Sequence, residues 1–231
     1  AYRAGIFLSY VLNHTEIRLR MTTLRSMPSL KAFGFAILLV GCIVQSTACA
    51  QSDHAAAIER WLEPKLDQFT SLYIQFHSQP ELSHQEEQTS KRFAAQLTDA
   101  GYEVTQNVGG YGVVALLDNG PGPTVMLRTD LDALPVTETT PLPFASRVKV
   151  ALPDGTTTGV MHACGHDVHM TNLIATAQYL AEHRNLWSGR LMLIGQPAEE
   201  RGMGARAMLK DGLFTRFPKP DFAIALHVTS D

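Results

Sequence analysis

Three cysteines in 231 residues cannot build a disulfide framework, and two of them, Cys42 and Cys49, fall in an apolar leader. Cys164 is alone in the body of the chain, where a metal-binding role suits it better than a disulfide. Charge is sparse as well: 18% of residues are charged and the formal net charge is −3. That excludes a basic surface built for nucleic acid or an anionic membrane. The apolar run Ala32 to Val44 falls short of the about 20 residues that a membrane span requires. No internal repeat or low-complexity tract is visible. The turn Gly202-Met203-Gly204 is too short for a phosphate loop and lacks the Lys-Ser/Thr that would follow it.

Residues 1–20 carry no functional pattern and read as upstream sequence ahead of a start at Met21 or Met27. Residues 21–50 are laid out like a signal peptide. Arg25 and Lys31 precede the apolar core, and Ala48-Cys49-Ala50 supplies a small-residue cleavage site. Leu39-Val40-Gly41-Cys42 offers a competing reading as a lipobox, with Cys42 lipidated. Both readings export the protein, either free in the periplasm or medium or anchored as a lipoprotein. The body then spans residues 51–231.

Within the body, helical and strand patterns alternate. Asp53 to Phe76 has the i, i+3/i+4 apolar rhythm of an amphipathic helix, interrupted at Pro64. A second helix runs from Gln85 to Ala100 and stops at Gly101. Two β-rich runs follow, Tyr102 to Val108 and Gly112 to Leu117, and then a buried-type strand at Val125-Met126-Leu127. Thr137 to Thr158 has no period and reads as a long loop. After it come a helix from about Val168 to His183, a strand from Arg190 to Gly195, a short helix ending at Gly212 and a strand from Phe222 to Leu226. This alternation predicts an α/β fold with a largely parallel sheet. Three strands end in polar clusters: Asp130 and Asp132, Glu199 and Glu200, and His227. In open α/β sheets, sites form outside the carboxyl ends of the strands, so these clusters are candidates to converge.

The densest chemistry lies in Met161 to Met170, MHACGHDVHM, where His162, Cys164, His166, Asp167 and His169 all carry metal-binding groups. Cys164 and His166 form the best pair, since a Cys-x-His spacing lets both reach one site from a tight turn. A helix N-terminus beside Cys164 would favour its thiolate. Glu200 and His227 complete a candidate ligand set. Asp130 suits a supporting role, accepting a hydrogen bond from a ligating imidazole. Glu199, adjacent to a ligand but pointing elsewhere, suits general base and acid work. His162 and His169 are ligands, substrate contacts or structural residues; spacing does not choose. Asp132 reads as a turn residue as readily as a ligand. Together these groups fit metal-assisted hydrolysis of an amide bond.

The segments HSQPELSHQE, RTDLDALPV, MHACGHDVHM, GQPAEE and ALHV, in this order over about residues 53–231, resemble the metal-dependent amidohydrolase branch of the aminoacylase/carboxypeptidase metallopeptidases. That branch includes hippurate hydrolases and N-acyl-amino-acid deacetylases. The resemblance implies a three-layer α/β/α catalytic domain, an inserted lid domain that often dimerises, and two divalent ions, zinc or manganese or cobalt. It implies that Cys164 bridges the ions, that His166, Glu200 and His227 complete most of the shell, and that Glu199 is the base. Arg128 stands where other branches carry a ligating histidine. The implied substrates are N-acyl amino acids or related small amides. The family's lid and a later metal-binding histidine have no counterpart before Asp231, so residues 51–231 are expected to form the N-terminal part of the catalytic domain and to be inactive alone. The competing expectations are an inactive product and an exported metal- or ligand-binding protein without turnover.

Overall fold

The structure is a computed structural model that describes residues 53–228, so the upstream segment, the signal peptide and the lipobox expected within residues 1–50 lie outside the described residues. Residues 53–62 are helical (α1). A 3-10 turn, Glu63–Lys65, separates them from α2 (Leu66–Ser78). The break falls at Pro64, which has no N–H to donate to the helical ladder. Next in order are α3 (Glu87–Asp99), β1 (Glu103–Gln106), β2 (Val113–Asn119), β3 (Thr124–Asp130), β4 (Lys149–Ala151), β5 (Thr157–Gly159) and α4 (His166–Glu182). The last elements are β6 (Gly189–Gln196), α5 (Gly204–Lys210), α6 (Leu213–Arg216) and β7 (Phe222–Ala225). Among the described residues, no helix is long and apolar enough to cross a membrane.

The main sheet has the order β1-β2-β6-β3-β7. It is mixed, which corrects the expectation of a mostly parallel sheet: β1–β2 and β2–β6 are antiparallel, while β3–β6 and β3–β7 are parallel. The cause is connection length. Residues 107–112 link β1 to β2 too briefly for a parallel crossover, whereas the passages from β3 to β6 and from β6 to β7 contain helices.

Period-2 alternation gives the sheet two apolar faces. Val113, Ala115, Leu117, Leu191 and Leu193 pack with Phe69, Phe76, Phe93, Met170 and Ile174 from α2, α3 and α4. Val114, Met192 and Ile194 pack with Met208 and Leu213 from α5 and α6. Helices on both faces make the three layers α/β/α. Gly195 lets α3 approach the sheet, since a Cβ there would lie 2.9 Å from Cε1 of Phe93.

The expected loop over 137–158 contains the hairpin β4–β5, turned at Gly155 with φ +84°. Its strands are too short to show a period. Val150 of the hairpin and Val148 just before it pack on Leu82, Ala133 and Val160. That small cluster braces the segments leading into and out of the candidate site.

Candidate metal centre

The parallel strands β3, β6 and β7 all end on one edge of the sheet, and the N-terminus of α4 arrives at the same edge. Gly165, which caps α4, has φ +78°, and a Cβ there would lie 2.7 Å from Cγ2 of Val228. This turn carries Cys164 into the space where β7 delivers His227: Cys164 Sγ lies 3.3 Å from His227 Nε2.

Two imidazoles are held through Nδ1. His166 is fully buried, and its Nδ1 donates to the carbonyl of Asp132 at 2.7 Å. His227 Nδ1 donates to the carbonyl of Val228 at 2.7 Å. A carbonyl only accepts, so each Nδ1 bears a hydrogen, and in the neutral ring the lone pair that can bind metal is then on Nε2. His166 Nε2 has no hydrogen-bond partner among the described residues. It lies 3.8 Å from Glu200 Oε1 and 3.9 Å from Glu199 Oε2. Glu200 Oε1 is likewise buried and unpartnered.

Two overlapping donor groups result. Cys164, His166 and His227 form one, and Asp130, His166 and Glu199 the other; within each, the donor atoms lie within 4.8 Å of one another. The adjacent glutamates differ. The Glu199 side chain is 37% exposed and that of Glu200 is 18% exposed. Both carboxylates reach towards His166, Glu199 being the more exposed of the two.

The electrostatics correct the expected thiolate. Burial, and then the facing Glu200, Glu199 and Asp130, push the Cys164 thiol up to about 11. Burial likewise pushes Asp130 up to about 6, against the pull of Arg128 and His166 and with Glu199 adding to it. A cluster of thiol, carboxylates and bare imidazole nitrogens that cannot all ionise together is short of positive charge. Divalent cations would supply it, and the unpartnered atoms of His166 and Glu200 could ligate them.

Asp130 does not hold an imidazole, which corrects its expected supporting role; its side chain pairs with Arg128. Asp132 takes that place. It is fully buried, and besides its carbonyl bond to His166, its Oδ2 accepts from Ser83 Oγ at 2.6 Å and from the Glu200 N–H at 3.1 Å. His169 accepts the Val228 N–H on Nε2 at 3.0 Å, so that lone pair steadies the strand exit that carries His227. His162 is buried with neither ring nitrogen partnered among the described residues, and burial pulls its pKa down to about 3. Glu86 was given no role by sequence reasoning. It is fully buried, and its Oε1 accepts the Ala198 N–H at 2.7 Å. Its partner lies far along the chain, so the only signal was its place in the HSQPELSHQE segment.

Residues 126–231 match peptidase family M20/M25/M40. This portion of the chain belongs to that family. The M20 relatives include the hippurate hydrolase of Campylobacter jejuni, 42% identical over 161 residues that make up 69% of this chain and 39% of that protein. The N-acetyl-L-cysteine deacetylase of Bacillus subtilis is 37% identical over 156 residues, covering 67% of this chain and 35% of that protein. A dinuclear metal-binding M20 peptidase of Bacillus subtilis superposes with a TM-score of 0.63 at 35% identity, covering 71% of this chain and 43% of that one. The chain thus spans about two fifths of the length of the M20 relatives it matches. The three-layer α/β/α arrangement is that of the M20 catalytic domain.

Proposed function

We propose that the gene product is an exported hydrolase of the amide bond in N-acyl amino acids or related small conjugates. In this reading Cys164, His166, Glu200 and His227 hold two divalent ions and Glu199 moves the proton. The observation that carries it is the meeting of Cys164, His166 and His227, with His166 Nε2 buried and without a partner and the unpartnered Glu200 Oε1 3.8 Å from it. Bound there, divalent ions would polarise a carbonyl and lower the pKa of water towards about 7. Sulfur, nitrogen and oxygen donors together suit zinc and leave manganese and cobalt open. The relatives named for hydrolysis of hippurate and deacetylation of N-acetyl-L-cysteine support the substrate class.

The protein's own groups divide the remaining work. Glu200, whose Oε1 is buried and 3.8 Å from His166 Nε2, serves as a ligand. Glu199, half-exposed beside it, can meet both solvent and substrate. It takes a proton from the attacking water as the new C–O bond forms. It then returns that proton to the amide nitrogen as the C–N bond breaks, leaving a carboxylic acid and an amine. Asp132 keeps the His166 lone pair pointed into the cluster.

Substituting Glu199→Gln in the complete gene product tests the reading. The expected result is a kcat for an N-acetyl amino acid lowered about 10²–10⁴-fold with metal content unchanged. Undiminished turnover would remove Glu199 from the mechanism, and metal retention with no turnover in the parent enzyme would favour a binding protein.

A further inference from the structure

Asp167 stands next to His166 but takes no part in the donor groups around it. Its carboxylate is buried and turned back to α2, where Oδ2 meets Nδ1 of His77 at 2.7 Å. Nε2 of the same ring lies 3.1 Å from Oε1 of Glu138, which is also buried. An ionised carboxylate only accepts, so a ring that bonds to two of them carries hydrogen on both nitrogens. Tyr73 Oη lies 3.4 Å from Nδ1, and Phe144 packs edge-on against the ring with its centroid 5.4 Å away. His77 thus joins three segments: the last turn of α2, the first turn of α4, and the loop that holds Glu138 and Phe144.

The two bonds hold different things. Glu138 closes its own loop, since its carboxylate also accepts from Thr140 Oγ1 and the Ser146 N–H. Asp167 serves the helix that carries the metal-binding side chains. A helix leaves its first N–H groups without intrahelical partners, and Gly165 at the cap of α4 has no side chain to meet them. Asp167 Oδ1 accepts the Val168 N–H at 2.8 Å, and the Gly165 carbonyl accepts those of Val168 and His169 at 3.1 and 3.2 Å. The Gly165 N–H in turn donates to the His162 carbonyl at 3.1 Å, closing the chain around Cys164. Cys164 and His166 therefore ride on one hydrogen-bonded turn. Successive residues of a helix point about 100° apart, so a hold on Asp167 sets the rotation at which His166 leaves the same turn. The bond from His166 Nδ1 to the Asp132 carbonyl fixes the ring but not the turn beneath it.

Resting on the metal-centre reading above, we infer that His77 is a positioning residue for that centre. Its Nδ1 bond to Asp167 fixes the turn that presents Cys164 and His166, while its Nε2 bond to Glu138 secures the loop. The two ring nitrogens therefore have separable effects, the first on metal affinity and the second on stability alone.

Two substitutions divide them, because the amide nitrogen of asparagine reaches the place of a histidine Nδ1 and that of glutamine the place of Nε2. In the complete gene product, His77→Asn keeps a donor for Asp167 and His77→Gln keeps one for Glu138. Competitive zinc titration should find affinity lowered about 10–100-fold in His77→Gln and within about threefold of the parent in His77→Asn, although both lose Tm. A merely structural role would not tell the two apart. Equal zinc affinities in the two variants, or the larger loss in His77→Asn, overturn the inference. Should His77→Gln fail to fold, Asp167→Ala and Glu138→Ala make the same comparison: zinc affinity should fall in the first and hold in the second, and an equal or reversed effect overturns the inference. Zinc binding by the parent without hydrolysis of N-acetyl amino acids would remove the hydrolase reading and leave this inference standing. Failure of the parent to bind zinc would remove the metal centre and the inference together.

Discussion

Ala198 stands immediately before the two glutamates and adopts φ +46°, a left-handed conformation that costs a residue with a Cβ about 1–2 kcal/mol. Ala198 is fully buried and its N–H is bonded to Oε1 of buried Glu86. From Ala198 the chain turns tightly, with the N–H groups of Met203 and Gly204 both donating to the Ala198 carbonyl at 3.2 and 3.1 Å. Glu86 thus clamps the residue that aims Glu199 and Glu200. Removing it by Glu86→Ala strands a buried N–H, at about 1–3 kcal/mol of stability. Metal affinity should fall about 10–100-fold, the usual effect of losing an outer support. Glu86→Gln keeps an acceptor and should do less harm. Burial raises the Glu86 pKa even though Ala198 bonds to it. A carboxyl raised in the folded state contributes stability at low pH that is lost as pH rises through its folded pKa. The gap between Glu86→Gln and the parent should therefore shift in favour of the glutamine variant as pH increases. Adding Ala198→Gly to Glu86→Ala relieves the left-handed strain and should recover part of both losses. Urea denaturation and competitive zinc titration of the parent, Glu86→Ala, Ala198→Gly and the double variant form a double-mutant cycle. Unchanged zinc affinity in Glu86→Ala, or no recovery in the double variant, would refute the clamp.

Asp132→Ala should lower zinc affinity about 10–100-fold, since it frees Ser83 Oγ and the Glu200 N–H at once; an effect confined to stability would contradict its role in positioning Glu200. His77 is buried between Asp167 at 2.7 Å and Glu138 at 3.1 Å. Burial pulls its pKa down, but hydrogen bonds to both carboxylates raise it above the ordinary value. Burial pushes Asp167 up, whereas bonds from Thr140, His77 and Ser146 hold Glu138 down despite burial, so Glu138 is the firmer anion. A histidine raised on folding contributes stability below about pH 6.5 that is lost as pH climbs through the folded pKa. His77→Gln should flatten that part of the stability–pH curve, and an unchanged curve measured by thermal unfolding would count against the triad.

The strands of the parallel half were legible because Val125-Met126-Leu127, Arg190 to Gly195 and Phe222 to Leu226 are apolar runs that end in polar residues. The structure brings those ends together with Cys164 and His166, as the topology of an open sheet leads one to expect. Strand direction was less legible, since an apolar run looks the same read either way. The short link at residues 107–112 held the clue to the antiparallel half. The supports of the site were not legible at all. Glu86 reaches Ala198 and Asp132 reaches Glu200 across long stretches of chain, and no periodicity records such a bond. Asp130 and Asp132 lie two residues apart at the exit of β3; the Asp130 side chain pairs with Arg128, whereas it is the backbone carbonyl of Asp132 that takes the bond from His166, which side-chain chemistry does not reveal.

The central claim is that this donor cluster is a metal centre for amide hydrolysis. It is tested most directly by assaying the complete gene product on N-acetyl amino acids before chelation, after exhaustive chelation, and after zinc or manganese is returned. The account predicts hydrolysis that disappears with the metal and returns with about two ions bound per chain. Hydrolysis that persists in the metal-stripped protein would contradict it.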